Sequence, residues 1–135
     1  MPITLTEDKI FQDQDVIDLY NALNWSSAKK PDQLVGALRN SQALIQAYDG
    51  DRLVGLGNAI SDGHLVVYYP HLCVHPDYHG HGIGKMIMDR FDEIYGHFHQ
   101  QILVADGASV GFYKKCGFVK AGDTQAVWKY QGDEH

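Results

Sequence analysis

The chain holds little that would tie it to a membrane, a redox scaffold or a nucleic acid. Its two cysteines, Cys73 and Cys116, each sit alone inside an apolar pattern, so neither a disulfide framework nor a C-x-x-C pair is present. No run of roughly 18 apolar residues occurs, so no transmembrane helix is expected. Met1-Pro2-Ile3-Thr4-Leu5 offers neither a basic n-region nor an apolar h-region, so no secretory signal is expected. A cytoplasmic protein with reduced thiols is the simplest expectation. Basic residues are also scarce, eleven against seventeen acidic, for a formal charge of −6. Nucleic acid is therefore not an expected partner, because neutralising phosphates needs a basic surface. The acidic excess is compatible with a cationic amine as substrate, although solubility alone accounts for it. No internal repeat or low-complexity segment interrupts the chain.

What is present suits one domain over residues 1–135, with 44% apolar residues to bury a core. Ile3-Thr4-Leu5-Thr6 reads as a strand. Asp15 then caps an amphipathic helix bearing Val16, Leu19, Tyr20 and Leu23, and Pro31 opens a second with Leu34, Val35 and Leu38. Gln42–Tyr48 and Arg52–Ile60 form a hairpin around Asp49-Gly50-Asp51. Leu65–Val74 is a long strand, with Pro70 marking an interruption. Gln101–Ala105 reads as a buried strand, and a short helix from about Ala108 stops at Gly117. Phe118-Val119 and Ala126–Tyr130 are expected as closing strands, and Gln131–His135 as a solvated tail. The class is α/β (α+β): a mixed sheet of about six or seven strands flanked by about four helices.

The stretch Leu72–Lys85 carries the functional signal. A strand ends at Pro76-Asp77, three glycines follow at alternate positions (Gly80, Gly82 and Gly84), and a helix opens with Ile83, Met86, Ile87, Phe91 and Ile94 on one face. Backbone N–H groups and the positive helix end then converge on one small volume, a natural seat for phosphate. The spacing is neither G-x-x-x-x-G-K-S/T nor G-x-G-x-x-G, which excludes the P-loop and the dinucleotide fingerprint.

The layout resembles the GCN5-related N-acetyltransferases, the GNAT superfamily. Their acetyl-CoA loop, R/Q-x-x-G-x-G/A, is matched by His79-Gly80-His81-Gly82-Ile83-Gly84, with His79 in place of the leading Arg or Gln. Downstream, Gly111-Phe112-Tyr113-Lys114-Lys115-Cys116-Gly117-Phe118 is similar to the family's F-Y-x-x-x-G-F signature. The resemblance implies a single-domain GNAT-like fold and acetyl transfer from acetyl-CoA to a primary amine, by direct attack in a ternary complex. It implies that backbone amides of His79, Gly80, His81, Gly82, Ile83, Gly84 and Lys85 hold the CoA pyrophosphate. The strand Leu72-Cys73-Val74 would bond the pantetheine and the thioester carbonyl through Leu72 and Val74. Asp106 stands where the family commonly has Asn, near the pantetheine path. Tyr113 takes the position of the general acid that protonates the leaving thiolate.

No Asp or Glu lies on the strand that feeds the loop. His71 and Tyr68 are the candidate bases there, and His71 has the better intrinsic pKa. Strand alternation gives Tyr69, His71 and Cys73 one face and Tyr68 the other, unless Pro70 introduces a bulge. Proton removal through ordered water stands beside either residue. His71, His75, His79 and His81 lack zinc-ligand spacing, so no metal is expected. Neither cysteine has an activating neighbour for a covalent acyl intermediate. Trp25-Ser26-Ser27 lies where related enzymes shape the acceptor pocket. A small-molecule amine is the expected partner, and edge strands near the C-terminus make a homodimer plausible. The competing reading is a non-catalytic CoA-binding or sensing module on the same fold.

Overall fold

A computed structural model describes residues 2–132. The order of elements is β1 (Ile3–Thr6), α1 (Asp13–Ala22), α2 (Pro31–Arg39), β2 (Ala43–Asp49), β3 (Arg52–Ser61), β4 (Val66–Tyr68), β5 (Leu72–Val74), α3 (Ile83–Tyr95), β6 (Gln100–Ile102) and α4 (Val110–Lys115). Short 3-10 turns precede α2, α3 and α4 at Ser26–Lys29, Pro76–Tyr78 and Gly107–Ser109. The sheet runs β1-β2-β3-β4-β6, with β5 also paired to β3. All pairings are antiparallel except β4 with β6. This is the mixed α/β layout expected, with six strands and four helices among the described residues. Among the described residues, no helix is long and apolar enough to cross a membrane.

The sheet is covered on both sides. Val16, Leu19, Tyr20, Leu34 and Leu38 of α1 and α2 pack with Leu44, Leu56 and Cys73 on one face. Ile83, Ile87, Met88 and Phe91 of α3 pack with Ile45, Val54, Val67 and Tyr69 on the other. The buried stripe of α3 runs Ile83, Ile87, Met88, Phe91 and Tyr95, while Met86 and Ile94 are half-buried. Gly57 permits this close approach: a Cβ there would stand 2.9 Å from both Ile87 Cγ2 and Phe91 Cε2.

The strand expected over Leu65–Val74 is two strands. Between the pairs Gly57↔Leu72 and Ile60↔Tyr68, three steps along β3 face four along its partner. That extra residue is a β-bulge at Pro70, which has no N–H for a ladder. The bulge turns Tyr69 into the α3 face and His71 with Cys73 toward α1.

Other expectations need correction. α1 begins at Asp13 after the cap residue Gln12, so Asp15 sits in the first turn, where its charge meets the positive helix end. β6 stops at Ile102, and Val104 is 55% exposed rather than buried. Past the bulge β5 no longer runs beside it, so Leu103–Ala105 has no ladder partner. Phe118-Val119 and Ala126–Tyr130 form no strands. Phe118 packs on the α3 face, but Val119 and Val127 are exposed, and no sheet edge receives them. Of the expected solvated tail, Gln131 and Gly132 are described; the remaining three positions lie outside the described residues.

Candidate active site

The site begins with an unpaired strand edge. His75 N–H donates to Val54 C=O at 2.8 Å, and Asn58 N–H to His71 C=O at 3.2 Å. In this register residues 71, 73 and 75 turn their backbone groups toward β3, so Leu72 and Val74 turn theirs away from it. On that side no strand adjoins β5 among the described residues. The β4–β6 ladder ends at Tyr68↔Ile102, where Tyr69 N–H donates to Ile102 C=O at 3.0 Å. Among the described residues no strand pairing joins β5 to the Leu103–Asp106 segment, and the edge of β5 presents the peptide groups of Leu72 and Val74.

β5 leads through the Pro76–Tyr78 turn into the glycine loop. Gly80 and Gly82 have φ of 81° and 79°, the left-handed region that favours glycine, and Gly82 caps α3. A Cβ on either would meet nothing within 4 Å, so the loop's outer side is open. Gly84 differs. A Cβ there would stand 3.1 Å from Phe112 Cζ, so this glycine lets α3 pack on α4 instead of clearing space for an anion. His79 Nε2 donates to Val74 C=O at 2.7 Å, closing the loop back onto β5 and fixing the proton on Nε2. His81 and Lys85 are exposed beside it, Lys85 paired with Asp89 at 2.9 Å, while Ile83 is buried.

Tyr113 lies on α4, half-buried, its ring edge-on to Phe112 at 5.1 Å and Phe118 at 5.9 Å. Burial first, then the neighbouring Cys116 and Asp106, push its phenol up to about 12. It therefore stays protonated at neutral pH and can donate. Asp106 precedes the turn into α4, and its carbonyl accepts from Ser109 N–H at 2.8 Å. Both thiols are held protonated: burial pushes Cys73 up to about 12 and also raises Cys116.

Across β5, His71 meets residues that sequence reasoning did not connect with it. Its Nδ1 lies 2.8 Å from the Tyr20 hydroxyl, and its ring is edge-on to Trp25 at 5.5 Å. Tyr20 is fully buried, and burial, with Cys73 nearby, raises its phenol. Asn58 Oδ1 accepts from His71 N–H at 3.0 Å, and Asn58 Nδ2 donates to Ser41 Oγ at 3.0 Å. The imidazole is thus held from its backbone and from one ring nitrogen. Asn58 and Tyr20 were invisible as partners because both read as ordinary members of periodic elements. Tyr68, the other candidate base, is 39% exposed at the end of β4, opposite Ile60 and Ile102. Tyr69 is a core residue whose hydroxyl donates to Gln101 at 2.7 Å.

A hollow lined by Glu7, Gln42, Tyr95 and Phe98 lies at the far end of α3, remote from β5, and contains none of these groups.

Known proteins share this fold. The acetyltransferase (GNAT) domain family matches residues 40–120. A protein of Pyropia yezoensis described as an uncharacterized N-acetyltransferase is 31% identical over 128 residues, covering 90% of this chain and 72% of its own length. Among solved structures, a GNAT-family acetyltransferase of Streptococcus pneumoniae superposes with a TM-score of 0.83 at 30% identity, covering 96% of this chain and 99% of that one. A probable acetyltransferase of Staphylococcus aureus gives 0.83 at 26% identity, covering 96% and 100%. The glycine loop, the split strand and the Phe112-Tyr113 helix all fall within the matched segment, and this chain belongs to the GNAT acetyltransferase family.

Proposed function

We propose that the protein transfers an acetyl group from acetyl-CoA to a primary amine, by direct attack of the amine in a ternary complex. The observation that carries this reading is the unpaired peptide edge of β5, followed through the Pro76–Tyr78 turn by the open, left-handed glycine turn at the start of α3. An amide-bearing arm can add to that edge as a strand would, and a pyrophosphate can sit on the amides of His79–Lys85. The residues present therefore fit acetyl-CoA, which would supply an activated thioester acyl group. Leu72 offers N–H and C=O and Val74 its N–H, because the Val74 carbonyl already accepts from His79.

The chain's own groups divide the proton work. His71 takes the proton that the attacking amine must lose, and its imidazole suits that task near neutral pH better than the Tyr68 phenol. Backbone N–H groups of β5 stabilise the negative charge that develops on the carbonyl oxygen. Tyr113 gives its proton to the departing sulfur, which its raised pKa permits. Neither protonated thiol serves as an acyl carrier. A cytoplasmic setting accords with two free cysteines. Self-association through the β6 edge, with its exposed Ile102, belongs to the same proposal.

The test is release of free CoA thiol from acetyl-CoA across a panel of amines, beside calorimetric binding of CoA. Amine-dependent thiol release supports the enzyme. Tight CoA binding with no release across the panel supports the binding-module reading instead.

A further inference from the structure

The glycine loop divides into a fastened half and an open half. On the entry side every backbone donor is engaged. Asp77 N–H donates to His75 Nδ1 at 3.1 Å, Tyr78 N–H to the His75 carbonyl at 2.9 Å, and His79 N–H to the Pro76 carbonyl at 3.3 Å. From Gly80 to Lys85 no N–H donates to another described residue. Side chains tie the fastened half to the sheet. Tyr78 Oη donates to Asp49 Oδ2 at 2.6 Å, at the tip of the β2–β3 hairpin. That bond, ahead of burial, raises the phenol, so it stays protonated. The guanidinium of Arg52, the first residue of β3, stands 5.3 Å from the Tyr78 ring centroid and 3.9 Å from Asp77 Oδ2. The same ring is edge-on to His75 at 6.2 Å and to His81 at 6.4 Å, so it spans both halves of the loop.

We infer that Tyr78 and Asp49 are positioning residues for the CoA pyrophosphate: their bond lets the hairpin tip fix where the Gly80–Lys85 amides point before the ligand arrives. This rests on the CoA seat of the reading above. Free donors converge on an anion only if the turn that carries them is held. Gly80 and Gly82, both in the left-handed region, are the residues best able to let it swing. A loop ordered in advance loses less conformational freedom on binding, and the gain appears as affinity. The tie is applied at Tyr78, two residues before Gly80, from a hairpin whose Ala47, Leu53 and Val54 are buried in the core. Direct contact with the phosphates is not its role. The Tyr78 hydroxyl is already given to Asp49, and that carboxylate would repel an anion.

The experiment is calorimetric binding of CoA to the full chain and its variants, with urea unfolding and acetyl-CoA kinetics beside it. Tyr78→Phe keeps the ring beside Arg52 and removes only the hydroxyl. It is expected to raise the Kd for CoA about five- to tenfold, and the acetyl-CoA KM in step, with kcat at saturation unchanged. Asp49→Ala should do the same, and the double variant should lose no more than either single one. Asp49→Asn keeps an acceptor oxygen and should recover part of the loss. A lowered urea midpoint with a native Kd would make the pair packing only, and would overturn the inference. Losses that simply add in the double variant would overturn it too. Either result, with CoA still bound tightly by the native chain, leaves the acetyl-transfer reading standing. A native chain that binds no CoA overturns both.

Discussion

Tyr20 and His71, 51 residues apart, meet at 2.8 Å through the tyrosine hydroxyl and Nδ1 because a single extra residue at Pro70 rotates the strand between Tyr69 and His71. Without the bulge His71 would share the face of Tyr69 and point into the α3 core. With it, the imidazole reaches the side covered by α1 and the Trp25 turn. In the tautomer where Nδ1–H donates to the Tyr20 oxygen, Nε2 carries the lone pair that a base needs.

Tyr20→Phe tests that positioning. The expected result is a fall in kcat of about tenfold, part of the roughly 10²–10⁴ that a placed base supplies, with the acetyl-CoA KM unchanged. The acidic limb of the kcat profile should shift as well. A change in stability alone, with the pH profile intact, would reduce Tyr20 to a packing residue.

The approach of α3 to β3 makes Gly57 sensitive. A Cβ there meets Ile87 and Phe91 at 2.9 Å, so Gly57→Ala is expected to destabilise by about 1–3 kcal/mol. Urea unfolding should show a lower midpoint at constant m-value.

The loop glycines should separate by role. Gly82→Ala meets no neighbour but sits at φ 79°, so relaxation of the turn is expected to weaken CoA binding about tenfold by calorimetry. Gly84→Ala instead presses on Phe112 at 3.1 Å, and is expected to lower thermal stability.

Alkaline pH should weaken the fold through Cys73, whose thiol burial pushes up to about 12. The folded value lies above the unfolded one of about 8.5, so this contribution is complete below pH about 8.5 and is lost as pH rises toward 12. Urea midpoints measured from pH 7 to 10.5 should fall above pH about 8.5, and Cys73→Ala should flatten that decline.

Much of the fold was legible because its signals are local. Pro31 at the first turn of α2, Asp49-Gly50-Asp51 in the hairpin and Gly117 after α4 each occupy the expected place. The paired motifs at His79–Gly84 and Phe112-Tyr113 marked the family, and Pro70 marked the break in the strand. What stayed hidden depends on contacts between distant elements. Gly84 looked like part of an anion cradle, yet it faces Phe112. His79 stood in place of the loop's leading Arg or Gln, and its ring closes onto the Val74 carbonyl, a contact no local pattern could show. Ala126–Tyr130 alternates as a strand should, but without a neighbouring ladder the pattern forms none, and Tyr130 bonds Ser26 instead.

The most direct measurement is initial-velocity kinetics of CoA thiol release, with acetyl-CoA and an accepted amine both varied, for the native chain and Tyr113→Phe. Direct transfer in a ternary complex gives intersecting double-reciprocal lines and no thiol release without amine. Tyr113→Phe should lower kcat on the order of 100-fold with CoA affinity unchanged. Parallel lines, thiol release in the absence of amine, or undiminished turnover in Tyr113→Phe would contradict it.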